Sequence, residues 1–194
     1  MAKDEMRLQA WMEQLRRMRE MQYAYHRKFF LGLYFFLALV VACLFWDSPV
    51  SLALVPFLVI TAGTQSCFYL HFVDFARLHA RHLEKHLNRA WGQGTMVGSE
   101  IEDLYFYPLE APKFGGFVLS APLRFFSFFT LHWVALWLGL AAFALWRLLP
   151  MMGTCGRHYL GLLGVWGGLN LVYLFWFFGK SPDRQAMESF LRKN

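Results

Sequence analysis

The feature that most constrains this chain is a run of eighteen residues, positions 29–46, that contains no charged side chain. A helix of that length is long enough to cross a hydrocarbon layer roughly 30 Å thick. Three more apolar runs follow, at about residues 50–72, 125–149 and 158–178. The whole chain is 57% hydrophobic and only 16% charged, which is far from the composition of soluble domains. The sequence therefore predicts an all-α polytopic membrane protein, a bundle of four transmembrane helices.

Polar or proline-containing segments separate the apolar runs. Ser48 followed by Pro49 has the pattern of an N-cap and a first helical residue, so a second helix is expected to begin there. The apolar stretch that contains the third run begins earlier, at about Phe114, so that it is too long for one crossing, and it is interrupted at Pro122 and Arg124. We therefore expect residues 114–121 to lie at the membrane interface and the third span to begin near Phe125.

The distribution of basic residues predicts the orientation of the four spans. Seventeen Lys and Arg residues lie before the first span, between the second and third, or after the fourth, whereas only Arg147 and Arg157 lie in or beside the other two connections. By the positive-inside rule, both termini are cytoplasmic (N-in, C-in) and the loops at 47–49 and 150–157 lie outside. We attribute the formal net charge of +6 to the basic residues that orient the chain in the membrane, and we expect no nucleic-acid partner. The predicted location is a bacterial inner membrane.

The three cysteines indicate neither a disulfide framework nor a redox site. Cys43, Cys67 and Cys155 are odd in number, and no two of them form a Cys-x-x-Cys pair. We expect all three to be buried thiols.

The charged segments that flank the first two spans carry apolar residues at spacings of three and four, which is typical of helices that pack against one partner. The first seam comprises Leu8, Trp11, Leu15, Met18, Gln22 and Tyr25, and the second comprises Phe72, Ala76, Ala80, Leu83, Leu87 and Ala90. Because spans one and two are joined by a short loop, their extensions are predicted to form an antiparallel cytoplasmic stalk. The alternative for the N-terminal segment is an amphipathic helix lying flat on an anionic leaflet.

The segment between the stalk and the third span is the longest irregular stretch. Gly92-Gln93-Gly94 is expected to stop the second helix, and Ser99 and Glu102 have the spacing of a capping box. We expect a short helix from there to Tyr107. The acidic and aromatic side chains of this segment are also a possible docking point for a cytoplasmic protein.

These features divide the chain into five segments according to their expected position relative to the membrane. They are 1–28, a cytoplasmic amphipathic helix; 29–72, a transmembrane hairpin; 73–113, a cytoplasmic helix and acidic aromatic loop; 114–178, an interfacial segment with spans three and four; and 179–194, a short cytoplasmic helix.

Histidines near the end of the second span are the most suggestive chemical feature. On a helix, five residues fall within one arc of about 140°, at 100° per residue; they are His71, Asp74, His79, His82 and His86. The spacing of His82 and His86 allows both imidazoles to reach one metal ion, with His79 or Asp74 as further ligands. The alternatives are a solvated helix face and a protonation-sensitive surface.

A haem site is a separate hypothesis. His71 near the end of the second span and His132 within the third form one pair of histidines that could hold a b-type haem between two helices. The alternative for these two residues is polar packing inside the bundle.

Two further groups of residues concern helix packing. The second span carries polar side chains that predict either a pore lining or hydrogen bonds between helices: Thr61, Thr64, Gln65 and Ser66. In the fourth span, Gly161, Gly164 and Gly168 leave one face with little side-chain bulk, which favours close helix packing within the chain or between copies.

The sequence favours a non-enzymatic function. We expect an oligomerising integral membrane subunit that signals to a cytoplasmic protein partner through its stalk, with a pore as one form of that activity. The alternative is an oxidoreductase subunit with histidine-ligated haem or metal. Apart from that alternative, no cofactor is expected, and the other partners are the lipid bilayer and either further copies or another membrane protein.

Overall fold

The structure, a computed structural model, describes residues 2–92, 94–105, 113–114, 117–118, 125–180 and 189, and it describes the side chains of 5–92, 94–104, 127–178 and 189. These residues form two compact units. Unit 1 comprises Met1–Phe30 and Cys67–His132, and unit 2 comprises Leu31–Ser66 and Trp133–Asn194, so far as their residues are described.

Five helices account for nearly all of the described residues. They are α1 (Ala2–Trp46), α2 (Pro49–Trp91), α3 (Gly98–Tyr105), α4 (Phe125–Met152) and α5 (Cys155–Lys180). Two short strands, β1 (Lys113–Phe114) and β2 (Phe117–Val118), pair antiparallel. These strands fall in the segment predicted to lie at the membrane interface, most of which is outside the described residues.

The ends of the long helices follow the local signals of the sequence. At the start of α2, the Ser48 hydroxyl accepts a hydrogen bond from the Ser51 amide at 3.1 Å, as an N-cap does. Asp47, between α1 and α2, has a φ of 46°, so the chain turns there through the left-handed region. Gly92 ends α2 with a φ of 107°, which confirms the predicted glycine stop.

The connection between α4 and α5 is shorter than predicted. The sequence suggested a loop at residues 150–157, but α4 continues through Pro150 to Met152 and α5 already begins at Cys155. A proline in the last turn removes one helical hydrogen bond and crowds the carbonyl four residues earlier, which bends the helix end but does not prevent the turn. Gly153, with a φ of 51°, then reverses the chain.

In unit 1, the polar halves of α1 and α2 pack against each other in antiparallel fashion. The Trp11 ring lies 5.3 Å from that of His86, and the Tyr25 ring stacks at 4.8 Å on Phe72. The residue numbers of the contacting positions thus decrease along α2 as they increase along α1, as in an antiparallel pair. Four members of the predicted α2 seam are buried, namely Ala76, Ala80, Leu83 and Leu87.

The seam prediction is confirmed at Phe72, whose ring stacks on Tyr25 although the side chain is 37% exposed, but it was wrong at Ala90, which is exposed, and it left out the buried Val73. The positions from Phe72 to Ala90 span eighteen residues, five full turns at 3.6 residues per turn, so Ala90 has the same angle on the helix as the rest of the seam. Its exposure follows from its place in the last turn of α2.

In unit 2, helices that run in the same direction pair with each other. Tyr159 on α5 donates a hydrogen bond to the carbonyl of Ala53 on α2 at 2.9 Å. The rings of Tyr34 on α1 and Trp133 on α4 lie 6.4 Å apart. Alternating helix directions are what a chain that crosses a bilayer four times requires.

Four helices are long and apolar enough to span a membrane: α1, α2, α4 and α5. Their outward faces carry large apolar side chains, for example Phe45 at 87% exposure. Such continuous apolar surface is unusual on soluble proteins and is typical of helices that meet lipid. The structure therefore agrees with the predicted helical membrane class.

The expectation of three buried thiols was wrong. Cys43 and Cys67 are partly exposed and Cys155 is exposed. Cys155 is the first residue of α5, next to the tight turn at Gly153, where too little chain surrounds it to bury the thiol.

Candidate functional site

The densest group of interacting ionisable side chains among the described residues lies in unit 1, where α1, α2 and α3 meet. We call it the ionic cluster. It consists of Arg19 and Gln22 from α1, Arg77, Arg81 and Glu84 from α2, and Glu102 and Asp103 from α3. Three cations and three carboxylates therefore face one another.

Arg19 joins the three helices. One terminal nitrogen of its guanidinium donates to Glu84 on α2 and the other to Glu102 on α3, both at 2.5 Å. Gln22, one turn later on α1, also donates to Glu102, at 2.9 Å. The rigid fork of donors on arginine suits such bridging of two carboxylates.

Arg77 is the most buried charged residue of the ionic cluster, with its side chain 2% exposed. It donates to Glu102 at 3.4 Å and to Asp103 at 3.2 Å, and Arg81, one turn further along α2, donates to Asp103 at 3.2 Å. A charge buried to this extent needs partners of opposite sign, which α3 supplies.

Glu84 and Asn88 hold the segment that leads into α3. One Glu84 oxygen accepts the backbone N–H of Ser99 at 2.9 Å, and the Asn88 amide forms hydrogen bonds with both the N–H and the carbonyl of Met96. A Cβ atom on Gly98 would lie 2.9 Å from an Arg19 nitrogen. The absence of a side chain at Gly98 thus lets the start of α3 approach the ionic cluster.

The predicted capping box at Ser99 and Glu102 was wrong. The helix begins one residue earlier, at Gly98, and the Ser99 hydroxyl is buried without a hydrogen-bond partner among the described residues. The carboxylate of Glu102 turns to Arg19 instead, because a charged partner offers stronger hydrogen bonds than a backbone amide. The helix is described to Tyr105, so its predicted extension to Tyr107 lies outside the described residues.

The ionic cluster keeps Glu102 charged. Burial by itself would raise the pKa of Glu102, but hydrogen bonds from Arg19 and Gln22, together with the charges of Arg19 and Arg77, outweigh burial and hold this pKa below its ordinary value. Glu102 is therefore an acceptor in the ionic cluster throughout the neutral pH range.

The predicted histidine face is partly assembled. The Nε2 atoms of His82 and His86 lie 3.0 Å apart, which suits one shared N–H···N hydrogen bond, while His79 stacks on Phe75. In the part of the chain that the structure describes, no group of three His, Cys, Asp or Glu side chains is arranged to hold a metal ion. A metal site that includes Asp74 stays a prediction.

The two histidines of the haem hypothesis each contact an aromatic ring of their own helix. His71 lies edge-on to Phe72, and His132 stacks on Phe128 with 6.5 Å between ring centroids. Both contacts lie within one helix, and the His132 side chain is exposed. Haem ligation by this pair also stays a prediction.

The polar residues of the second span make hydrogen bonds within unit 2. Thr61 and Thr64 donate to carbonyls four residues earlier on α2, and the Thr64 hydroxyl also lies 2.9 Å from the side-chain oxygen of Asn170 on α5. Ser66 is partly exposed, as is Gln65. Of these bonds, the one between Thr64 and Asn170 joins two helices, and the other two lie within α2. Helix packing and a pore lining both stay predictions for the group as a whole.

The glycine face of α5 is open. For Gly161, Gly164 and Gly168, a Cβ atom would meet no heavy atom of the described residues within 4 Å. Gly167, on a neighbouring face, differs because a Cβ there would lie 3.6 Å from Ile60 of α2. The face is thus available to lipid or to another polypeptide.

The ionic cluster was not predicted from the sequence. Its signal was nevertheless present, since Arg77 and Glu84 are seven residues apart and each directly follows a member of the apolar seam. Charged residues at that spacing lie at the edge of a helix contact, where they pair across it.

No protein-family model, curated protein or solved structure matches this chain.

Proposed function

We propose that this protein is a non-enzymatic, oligomerising membrane subunit that presents a fixed helical surface to a cytoplasmic protein. The observation that supports it best is the ionic cluster. Its three cations and three carboxylates bond to one another, so the densest ionisable group among the described residues is used to join helices. A general acid or base would instead have to reach a substrate.

Buried ion pairs contribute little net stability but are sensitive to geometry. In some proteins they select one arrangement of helices over others. In unit 1, the ionic cluster holds α3 and the polar halves of α1 and α2 in one register. The exposed side of α1 then offers a defined surface, with Tyr23 at 72% exposure and with Arg16 and Arg17 paired to Glu13 and Glu20 of the same helix. A cytoplasmic partner with apolar groups and with charges of both signs would suit it.

The proposal requires this surface to be cytoplasmic, as the positive-inside count predicts. Ser99 is buried, so a cysteine at the exposed Thr95 is the better probe of the segment after α2, and the exposed Thr154 is a probe of the α4–α5 turn. With the native cysteines replaced, we expect Thr154→Cys to react with an impermeant maleimide on intact cells and Thr95→Cys to react only after lysis. The reverse pattern would refute the orientation.

Assembly is proposed to use the glycine face of α5. Gly164→Leu adds a side chain where a second helix would approach, whereas its Cβ atom would meet no described heavy atom of the same chain within 4 Å. We therefore expect Gly164→Leu to convert an oligomer into monomers while its helical circular dichroism is retained. Size-exclusion chromatography with light scattering measures the change.

Gly167→Leu is the matched control, because that position faces Ile60 of the same chain. It is expected to lower the thermal stability and leave the copy number unchanged. An assembly that stays intact in Gly164→Leu and in Gly168→Leu, or a wild type that is already monomeric, would remove the oligomeric part of the proposal.

The oxidoreductase alternative has a direct test in the absorption spectrum and metal content of the purified protein. The proposed function predicts neither a Soret band nor stoichiometric metal. A Soret band that is lost in His132→Ala, or metal lost in a His82→Ala and His86→Ala double variant, would replace the proposal with that alternative.

A further inference from the structure

A groove in unit 2 lies between the last turns of α1 and the corresponding part of α4. Its apolar wall is formed by Val41, Leu44, Phe45 and Phe143, and its polar end by Asp47 and Arg147. The groove has a volume of about 430 Å³. This lies within the roughly 300–1,000 Å³ of small-molecule sites.

The polar end of the groove is an exposed ion pair. An Arg147 nitrogen donates to an Asp47 oxygen at 2.6 Å, and the two side chains are 38% and 44% exposed. This bond uses one of the five N–H donors of a guanidinium and one of the two oxygens of a carboxylate. Both groups therefore retain capacity for a ligand that carries a negative and a positive charge.

Two tryptophans place the ion pair at the depth of lipid headgroups. Trp46 directly precedes Asp47 and Trp146 directly precedes Arg147, and both indoles are largely exposed. Exposed indoles at the ends of membrane helices occupy the boundary between hydrocarbon and water. The apolar wall of the groove then lies on the hydrocarbon side of this boundary.

We propose that the groove binds a phospholipid with a zwitterionic headgroup that contains a primary ammonium, as in phosphatidylethanolamine. The phosphate accepts hydrogen bonds from Arg147, and the ammonium donates to Asp47. One acyl chain lies against Leu44, Phe45 and Phe143. The headgroup thus meets each protein charge with its opposite.

The same geometry discriminates among headgroups. A choline group carries a positive charge but has no N–H to donate, so it forms no charge-assisted hydrogen bond with Asp47. A glycerol headgroup lacks the positive charge, and its phosphate meets the carboxylate of Asp47 with no compensation. The primary ammonium is therefore the preferred occupant.

Asp47→Asn is a suitable test variant because asparagine tolerates the left-handed backbone of position 47 as well as aspartate does. It removes the charge and should preserve the turn. Arg147→Gln removes the phosphate donor, and Leu44→Trp fills the apolar part of the groove. Arg16→Gln, on the polar half of α1, is the control for loss of an exposed arginine.

Native mass spectrometry of the full chain in a neutral detergent measures the affinity for phosphatidylethanolamine, phosphatidylcholine and phosphatidylglycerol with identical acyl chains. We expect the wild type and Arg16→Gln to bind phosphatidylethanolamine about tenfold more tightly than the other two lipids, equivalent to one well-formed polar contact. Asp47→Asn should reduce this preference to less than about twofold. Arg147→Gln should weaken the binding of all three lipids, because each carries the phosphate, and Leu44→Trp should also weaken all three.

Equal affinities for the three lipids in the wild type would overturn the proposal, as would an unchanged preference in Asp47→Asn. Displacement of the lipid by millimolar phosphoethanolamine, which has the headgroup without acyl chains, would show that the apolar wall takes no part and would also overturn it. Circular dichroism of each variant verifies that the helices are intact.

Discussion

Arg19→Met is expected to loosen α3 from α1 and α2 at a cost of about 3 kcal/mol. Removing one partner of a buried ion pair typically costs roughly 3–5 kcal/mol, because the remaining charge is left buried without compensation. Arg19 is itself 28% exposed, which places the estimate at the lower end of that range. Glu84, whose side chain is 8% exposed, loses its arginine partner in this variant. Hydrogen–deuterium exchange of the α3 amides should accelerate by roughly 10²-fold.

Arg16→Met is the matched control on the same helix. Arg16 also has two carboxylate partners at 2.8 Å, Glu13 and Glu20, but its side chain is 62% exposed and both partners lie on α1 itself. Exposed pairs of this kind contribute about 0–1 kcal/mol, so exchange in α3 should hardly change. Equal exchange rates in the two variants would show that the ionic cluster does not hold α3.

Acidification is expected to release α3 through Glu102. Because hydrogen bonds and nearby arginines outweigh burial and lower the pKa of Glu102 in the folded protein, the unfolded segment takes up the proton first as the pH falls. The stabilisation that this carboxylate contributes is therefore complete at pH values above its ordinary pKa, near 4.5. It is lost as the pH falls through the lower pKa that Glu102 has in the folded protein. Between the two pKa values, the opening free energy should fall by about 1.4 kcal/mol per pH unit.

Exchange protection factors of α3 amides, measured from pH 6 downward, test this expectation. Glu102→Gln should start with lower protection and lose the part of the pH dependence that Glu102 contributes. In Arg19→Met, the exchange protection of α3 should be lost at a higher pH than in the wild type, because Arg19 is a principal donor to this carboxylate. A wild-type profile that coincides in shape with that of Glu102→Gln would assign the acid response to other groups.

The helical architecture was predictable because its signals are local. A run of apolar residues long enough to span hydrocarbon must satisfy its backbone hydrogen bonds within one helix, whatever its neighbours are. The same holds for the helix boundaries, since Ser48 caps α2 with its own side chain and Gly92 ends it with its own backbone. These features follow from residues adjacent in the chain.

The seam of α2 was predictable over most of its length and wrong at its last position. Ala80 and Leu83 are buried and Phe72 stacks on Tyr25, as expected, but Ala90 is exposed in the last turn of the helix. The capping box failed for another reason. At its spacing of three residues from Ser99, Glu102 could accept a hydrogen bond from the backbone N–H of that residue. It bonds instead to Arg19, 83 residues away in the chain.

What the sequence by itself determined about this protein is therefore its helical class, four helices long and apolar enough to span a membrane, and most of the ends of these helices, because these depend on hydropathy and on short-range capping. Only the tertiary structure decided which charges are buried and with whom. Arg77 and Arg16 are the same residue type in similarly charged helices, but Arg77 lies against α3 whereas Arg16 faces outward. Whether a charge is solvated or needs a partner depends on what packs over it, and residues distant in the sequence supply that covering.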